Sequence, residues 1–204
     1  MKKSSSNRWL KEHFSDAYVR RAKNEGFRAR SVYKLKEIDE RLKLIKPNHV
    51  VVDLGAAPGG WSQYVASRVV PQGKVFALDV LPMQPVSTVK FIQGDFTSFD
   101  VIQCLINELG GQKVDVVLSD MAPNLSGIKL ADQMQALELA NRALFFARQV
   151  LHSKGTFLLK AFQGGEFADF LRKLRESFSE VKVIKPGASR ARSSELFLLC
   201  QQIN

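Results

Sequence analysis

From Val50 onward the chain alternates short apolar runs with longer amphipathic stretches, and this alternation constrains the fold more than any other feature. The runs Val50–Leu54, Val75–Val80, Lys90–Gln93, Val114–Leu118, Thr156–Lys160, Val181–Ile184 and Leu196–Cys200 read as strands. Trp61–Val70, Val101–Leu109 and Glu166–Phe178 read as helices, and a longer one is marked by Leu130, Met134, Leu137, Leu144 and Leu151 at helical spacings. Strands that are apolar on both faces belong to a parallel sheet buried between helices, so the class is α/β. No helix separates the last two strands, which predicts an antiparallel pair at one edge. Gly155 is expected to open the strand that follows the long helix.

A chain of 204 residues makes one substantial domain, here read as spanning 1–204. Its formal net charge is +10, with 30 Lys and Arg against 20 Asp and Glu. The excess is concentrated: residues 1–46 hold fourteen basic and six acidic residues, a net of +8. This segment reads as a basic helical extension, with residues 1–6 disordered, helices over 7–24 and 30–44, and Ser31 as N-cap of the second. Val32, Leu35, Ile38 and Leu42 dock that second helix on a core. Basic residues interleaved with Trp9, Phe14, Tyr18, Phe27 and Tyr33 point to a polyanionic partner. Cys104 and Cys200 form no disulfide framework, and His13, His49 and His152 are too scattered for a zinc site. The basic start leads into no apolar run, and no segment is long and apolar enough to span a bilayer. A soluble cytoplasmic protein is expected.

The first strand runs into Asp53-Leu54-Gly55-Ala56-Ala57-Pro58-Gly59-Gly60-Trp61-Ser62. In a doubly wound sheet this turn faces the crevice where nucleotide-like ligands bind. Counted from Gly55, the dinucleotide pattern finds its third glycine at Gly60, but its second position is Ala57. On the glycines alone the turn reads equally as a structural turn or a ligand cradle. The next strand tips the balance, because Asp79 lies 24 residues after Gly55, where a carboxylate accepts hydrogen bonds from ribose hydroxyls. Asp95 and Asp120 close the third and fourth strands. Three carboxylates at successive strand ends, without a phosphate clamp, suit an adenosine carrying a cationic group, namely S-adenosylmethionine. Lys160 ends the apolar run Phe157-Leu158-Leu159 at the same rim, beside Asp120.

Taken together, these segments resemble the FtsJ/RrmJ (RlmE) family of ribosomal RNA large-subunit 2′-O-ribose methyltransferases. The matching pieces are Arg8-Trp9-Leu10-x-Glu12-His13-Phe14-Ser15-Asp16, Tyr33-Lys34-Leu35-x-Glu37-Ile38, Asp53–Gln63 and Gln93-Gly94-Asp95-Phe96. They continue with Ser119–Gly127, Lys160-x-Phe162-Gln163-Gly164 and Lys185-Pro186-x-x-Ser189-Arg190-Ala191-Arg192-Ser193-x-Glu195. The resemblance implies a Rossmann-like S-adenosylmethionine-dependent fold with a mostly parallel seven-stranded sheet, helices on both faces and an antiparallel edge strand. It also implies a catalytic tetrad at Lys34, Asp120, Lys160 and Glu195, of which Lys34 and Glu195 enter by the resemblance alone. The cofactor site it implies comprises Gly59, Trp61, Asp79, Asp95 and Asp120, to which the glycine turn adds Gly55. One position departs from the family: Phe197 stands where a Tyr is frequent, which removes a hydroxyl.

The expected chemistry is methylation of a ribose 2′-OH, for which the oxygen must lie in line with the sulfonium–methyl bond and lose its proton. Lys160 is assigned as proton acceptor, Asp120 as its orienter, and Lys34 and Glu195 as positioners. No metal is needed. Arg20, Arg21, Lys23, Arg28 and Arg30 are expected on RNA phosphates, with Arg190 and Arg192 on the opposite rim. Trp61 is expected either to contact the cofactor or to cap the core. The implied substrate is a uridine of 23S rRNA in the large subunit, met by a monomer. A messenger-cap 2′-O-methyltransferase and a non-catalytic ribosome-assembly factor are the alternatives. Removing residues 1–28 is expected to leave the cofactor site largely formed.

Overall fold

The computed structural model describes residues 16–123, 126–190 and 193–204. The expected disorder at 1–6, Trp9, Phe14 and Arg192 lie outside them. The elements are α1 (Ala17–Asn24), α2 (Val32–Leu42), β1 (Val50–Leu54), α3 (Gly60–Val69), β2 (Lys74–Asp79), β3 (Val89–Gln93) and α4 (Phe99–Leu109), followed by β4 (Val114–Ser119), α5 (Lys129–Val150), β5 (Leu151–Phe162), α6 (Phe167–Ser177), β6 (Phe178–Ile184) and β7 (Glu195–Ile203).

The seven strands form one sheet in the order β3-β2-β1-β4-β5-β7-β6. Pairing is parallel from β3 through β5, and β7 runs antiparallel to both β5 and β6. The order reverses between β1 and β4, so the carboxyl ends of β1, β2 and β4 splay around a crevice. Asp120 N donates to the Leu54 carbonyl at 3.0 Å, which carries β4 one residue past its last ladder partner and fixes the crevice floor.

The apolar runs are buried because each face meets a different core. On one face Leu54, Phe76, Leu78, Val117, Phe157 and Leu159 pack with Leu105, Leu109, Ala143, Phe146 and Leu174 from α4, α5 and α6. On the other, Val51, Val75, Val116, Leu118, Leu158 and Phe197 pack with Val32, Leu35, Ile38, Trp61 and Val65 from α2 and α3. Asp39 lies buried between α2 and α3, where it accepts from Ile45 N at 2.8 Å and Tyr64 Oη at 2.8 Å.

Four sequence expectations need correction. The helix expected over 7–24 does not run through Asp16, which is extended and caps α1 by accepting from Tyr18 N at 2.9 Å. Ser31 occupies the N-cap position of α2 as expected but not as a side-chain cap: its backbone is already helical and its hydroxyl makes no capping bond, while its carbonyl takes the Trp61 indole N–H at 2.9 Å. Leu151 is the first residue of β5 and no longer part of the long helix, whose last residue is Val150. Gly155 lies within β5, close to where its register against β4 shifts; a Cβ there would stand 2.8 Å from Leu151 Cδ2 and 2.9 Å from the His152 carbonyl.

Candidate active site

The glycine turn leaves β1 and folds over its neighbour. Gly55 N and Ala56 N both donate to the Leu78 carbonyl of β2, at 2.9 and 3.1 Å. Gly55 has φ +79°, and a Cβ on it would meet Met121 N at 2.8 Å, so both conformation and space require glycine. Gly59 has φ +107° at the entry to α3, where a Cβ would collide with Arg28 Nη1 and Met83 Sδ at 2.9 Å. The first α3 hydrogen bond of this turn is Gln63 N to Gly59 O, at 2.9 Å. The amides of Gly60 and Trp61 precede it in the first turn of α3, and that of Ser62 hydrogen-bonds the buried Asp53 carboxyl.

A cavity of about 690 Å³ opens at the switch point, lined by Gly55, Ala57, Asp79, Val80, Leu81, Asp95, Asp120 and Met121 among others. Asp79 fastens its wall: Oδ2 accepts from Ala57 N at 2.9 Å and Oδ1 from Leu81 N at 2.8 Å. Thr97 donates its amide and hydroxyl to Asp95 Oδ1 at 2.7 and 2.8 Å, and these bonds hold the Asp95 carboxyl below its usual range. Beneath the cavity Asp53 is fully buried, with Oδ2 taking the Ser62 hydroxyl at 2.7 Å and Oδ1 unpartnered. Burial, reinforced by the negative charge of Asp120 and Asp79 and opposed by Ser62, pushes the Asp53 carboxyl up to about 7.

Beside this cavity stand two acid–base pairs. Lys160 Nζ lies 2.6 Å from the Asp120 carbonyl and 2.9 Å from Asp120 Oδ1. Oδ1 is close to the ammonium yet out of line for a hydrogen bond, so the carbonyl is the better partner. Lys34 Nζ lies 2.7 Å from Glu195 Oε1 and 2.8 Å from Oε2. All four side chains are mostly buried, Lys160 at 9% exposure and Glu195 at 12%. The strand register explains the assembly: Lys160 pairs with Phe197 and Phe162 with Glu195 across β5 and β7, while α2 lays Lys34 over the same rim. Burial raises the Glu195 carboxyl, but the hydrogen bond and charge of Lys34, the Ser189 hydroxyl and the charge of Lys160 together hold it below its usual range. Phe197 is fully buried, its ring centroid 5.8 Å from Lys34 Nζ and 5.8 Å from the Trp61 ring, so it supplies an aromatic face in a place with no water for a hydroxyl.

A second hollow, of about 260 Å³, is lined by Arg30, Ser31, Lys34, Arg190, Ser193 and Glu195. The structure thus brings Asp79, Asp95 and Asp120 to one cavity, and Lys34, Glu195, Arg30 and Arg190 to the next. It does not bring the Trp61 side chain to the acidic cavity; that ring is 3% exposed within the core. The basic residues divide. Among the described residues, Arg20 and Lys23 have no acidic partner, whereas Arg21 is paired with Glu25 and lies over the Tyr33 ring. Arg30 pairs with Asp16 and the Ala188 carbonyl, and Arg190 stands 3.8 Å from Asp16. Arg28 turns inward, donating Nη1 to the Pro58 and Gln84 carbonyls at 3.3 and 2.5 Å and Nη2 to Pro85 O at 2.7 Å. Those partners are backbone carbonyls 30 to 57 residues away, which no local pattern reveals.

Among the described residues no helix is long and apolar enough to cross a membrane, and no group of three or more His, Cys, Asp or Glu could hold a metal ion.

Comparison with known proteins bears on this arrangement. The family model described as FtsJ-like methyltransferase matches residues 27–203. Proteins named ribosomal RNA large subunit methyltransferase E are similar throughout: that of Azoarcus sp. is 53% identical over 96% of this chain and 95% of its own length. That of Marinobacter nauticus is 49% identical over 97% of this chain and 95% of its own. A solved structure described as a putative ribosomal RNA methyltransferase from Plasmodium falciparum superposes with a TM-score of 0.78 at 29% identity, covering 87% of this chain and 98% of that one. A putative rRNA methylase from Clostridium thermocellum, at 18% identity and TM-score 0.59, shares the fold.

Proposed function

The chain belongs to the FtsJ-like methyltransferase family, and from that premise we propose that it methylates the 2′-OH of a uridine ribose in 23S rRNA, with S-adenosylmethionine as donor. The observation that carries this reading is the pair of buried lysine–carboxylate contacts, Lys160–Asp120 and Lys34–Glu195, at the rim of an acid-lined cavity.

The residues present fit the donor. Gly55 lets the turn pass against Met121, where a Cβ would collide with that residue's backbone, and Asp79 and Asp95, which line the cavity, offer carboxylate oxygens at the positions that bind ribose hydroxyls. Asp120, in the cavity wall, supplies negative charge for a cationic centre. When bound, the sulfonium supplies an activated methyl group that needs no further electrophilic assistance.

The chain's own residues do the rest. Lys34 and Arg190 line the basic hollow, beside an Arg30 held by Asp16 and the Ala188 carbonyl, and receive the RNA backbone, presenting a ribose to the rim. Lys34 and Glu195 fix each other and the ribose. Lys160 accepts the 2′-OH proton as the oxygen becomes nucleophilic. One of its N–H groups is held by the Asp120 carbonyl, with Asp120 Oδ1 close by, and once the ammonium has released a proton the lone pair is free to take that of the 2′-OH. The burial of all four side chains keeps competing water away.

In this reading the partner is 23S rRNA within the large subunit, met in the cytoplasm by a single copy of the chain. A non-catalytic assembly factor has no observation behind it, since all four tetrad positions are present and paired. A messenger-cap substrate has none either, since the half-identical relatives are named for large-subunit rRNA. The experiment is to map ribose methylation in rRNA from cells with and without this chain. One 23S uridine should lose its 2′-O-methyl group in the deletion and regain it with the wild-type gene but not with Lys160→Ala. An unchanged methylation map overturns the reading.

A further inference from the structure

The loop between β6 and β7 carries no residue of the acidic cavity, yet it is tied to the tetrad through a closed ring of contacts. Glu37, one helical turn beyond Lys34 on α2, accepts two successive backbone amides of that loop: Gly187 N on Oε1 at 2.9 Å and Ala188 N on Oε2 at 3.2 Å. The Ala188 carbonyl is taken by Arg30. Both peptide groups flanking Ala188 are therefore held by side chains, one from the middle of α2 and one from the loop that leads into it. The next residue, Ser189, is 8% exposed, and its hydroxyl donates to Glu195 Oε1 at 2.9 Å. Glu195 returns to Lys34 on α2. Lys185 closes the loop from its other side, donating to the carbonyls of Ser193 and Glu195.

We propose that Ser189 and Glu37 are positioning residues for the tetrad, Glu37 setting the loop and Ser189 orienting the Glu195 carboxylate against Lys34. The proposal rests on the methyltransferase reading above for its kinetic consequences but not for its geometry. The physical case is that a carboxylate has two equivalent oxygens and a freely rotating terminal bond. A lysine alone leaves it several arrangements, because an ammonium is a point charge on a flexible stem. A hydroxyl fixed by its own backbone reduces these to one. The hydroxyl is fixed only while the Gly187–Ala188 segment is, and the Glu37 carboxylate accepts that segment's two consecutive amides. The same helix thus carries the lysine that Glu195 must meet and the anchor of the loop that aims Glu195. A shift of α2 moves both together, which preserves their relation.

The test compares Ser189→Ala, Ser189→Thr, Glu37→Ala and the Ser189→Ala/Glu37→Ala double variant. Single-turnover methyl transfer to large subunits at saturating cofactor should fall by about tenfold to a hundredfold in Ser189→Ala, the penalty of a misplaced reacting group. Cofactor affinity by calorimetry should stay within about twofold, since no cofactor-cavity residue is touched, and Ser189→Thr, which keeps the hydroxyl, should recover most of the rate. Glu37→Ala should lose rate without cofactor affinity, and the double variant should be no slower than the slower single variant, as expected of residues acting in one chain. A Ser189→Ala rate within about twofold of wild type overturns the proposal, as do losses that multiply in the double variant. Independently of any activity, a crystal structure of Glu37→Ala should show the 186–189 loop displaced and the Glu195 carboxylate turned from Lys34. A carboxylate left in place overturns the positioning role even if the substrate proves to be something other than ribose. Wild-type protein that transfers no methyl group to RNA while the Glu37→Ala structure shows the displacement would instead count against the functional reading alone.

Discussion

As the proposed proton acceptor, Lys160 faces the hardest demand in the site, because it must release a proton before it can accept one. Its nearest oxygens both belong to Asp120, a carbonyl and a carboxylate oxygen out of line for a hydrogen bond, with the Phe162 ring 5.9 Å away and the Glu195 carboxylate within reach of its charge. Lys160→Ala should slow single-turnover methylation by about 10²–10⁴-fold while cofactor affinity holds, since the loss belongs to the transition state. Lys160→Arg should be nearly as slow, because a guanidinium keeps the charge but does not deprotonate; an Arg variant close to wild type would make Lys160 an electrostatic residue only. Asp53 yields a prediction of another kind. Its carboxyl ionises near 3.8 when unfolded but only at about 7 when buried. Between those values the folded state binds more protons than the unfolded one, so this group makes stability fall as pH rises from about 4 to about 7, with no further change above. Asp53→Asn should flatten that fall, read as denaturation midpoints at pH 5 and pH 8, and an equal fall in both proteins would refute it. Asp79 closes β2, Asp95 and Asp120 stand just past β3 and β4, and Lys160, expected to end its strand, is followed by Ala161 and Phe162 in β5; all four were legible in the sequence because the carboxyl ends of parallel strands share one rim. Lys34 and Glu195, 161 positions apart, meet only through α2 docking and β7 register, and without the family resemblance nothing local marks them.

Among the elements, the Arg28 loop joining α1 to α2 most changes what the sequence led one to expect. Arg28 reads as a phosphate ligand in a basic run, but its guanidinium stitches the glycine turn to the loop after β2 through Pro58, Gln84 and Pro85. Gln63 of α3 holds the same loop from the other side, bonding Arg28 N and the Gly26 carbonyl. The basic segment is thus part of the cofactor cavity's frame, and removing residues 1–28 should not leave that cavity intact. Arg28→Ala is expected to weaken S-adenosylmethionine binding by roughly three- to tenfold, the size of one or two charge-assisted hydrogen bonds in a partly solvated place. Arg28→Lys should be almost as weak, since one ammonium cannot span three carbonyls held by two guanidinium nitrogens. Calorimetry giving wild-type affinity for both would show that the stitch is idle. The other element-level surprises share a cause. Asp16 ends a helical pattern because its carboxylate satisfies the amide of Tyr18, and Leu151 leaves one because its backbone turns extended at φ −65°, ψ 147°. Periodicity reports which face is buried, not where the backbone changes direction.

Across the whole molecule the sheet separates two charges. The carboxyl ends of β2 and β4 bring Asp79 and Asp120, with Asp95 just past β3, to a negative cavity suited to a cation. The hollow beside it gathers Arg30, Lys34 and Arg190 and is suited to an anion. A methyl donor bearing a sulfonium and an acceptor strung on phosphates need opposite potentials side by side, and the four side chains proposed as the tetrad stand between the two hollows. This division was visible in outline from composition, since +8 of the +10 charge falls in residues 1–46, but the roles within it were not. Arg21, Arg28 and Arg30 are committed to contacts within the chain, whereas Arg20 and Lys23 lie on the exposed side of α1 with no acidic partner among the described residues. The salt dependence of RNA binding should therefore follow the second pair. Arg20→Ala/Lys23→Ala should lower the slope of log affinity against log salt by about 1.4 to 1.8, two phosphate contacts' worth of released counterions, and leave the free protein's cofactor affinity unchanged. Arg21→Ala, whose charge is already shared with Glu25, should change the slope by less than half as much. Equal slopes for Arg20→Ala/Lys23→Ala and wild type would move the footprint off α1 and onto the basic hollow alone.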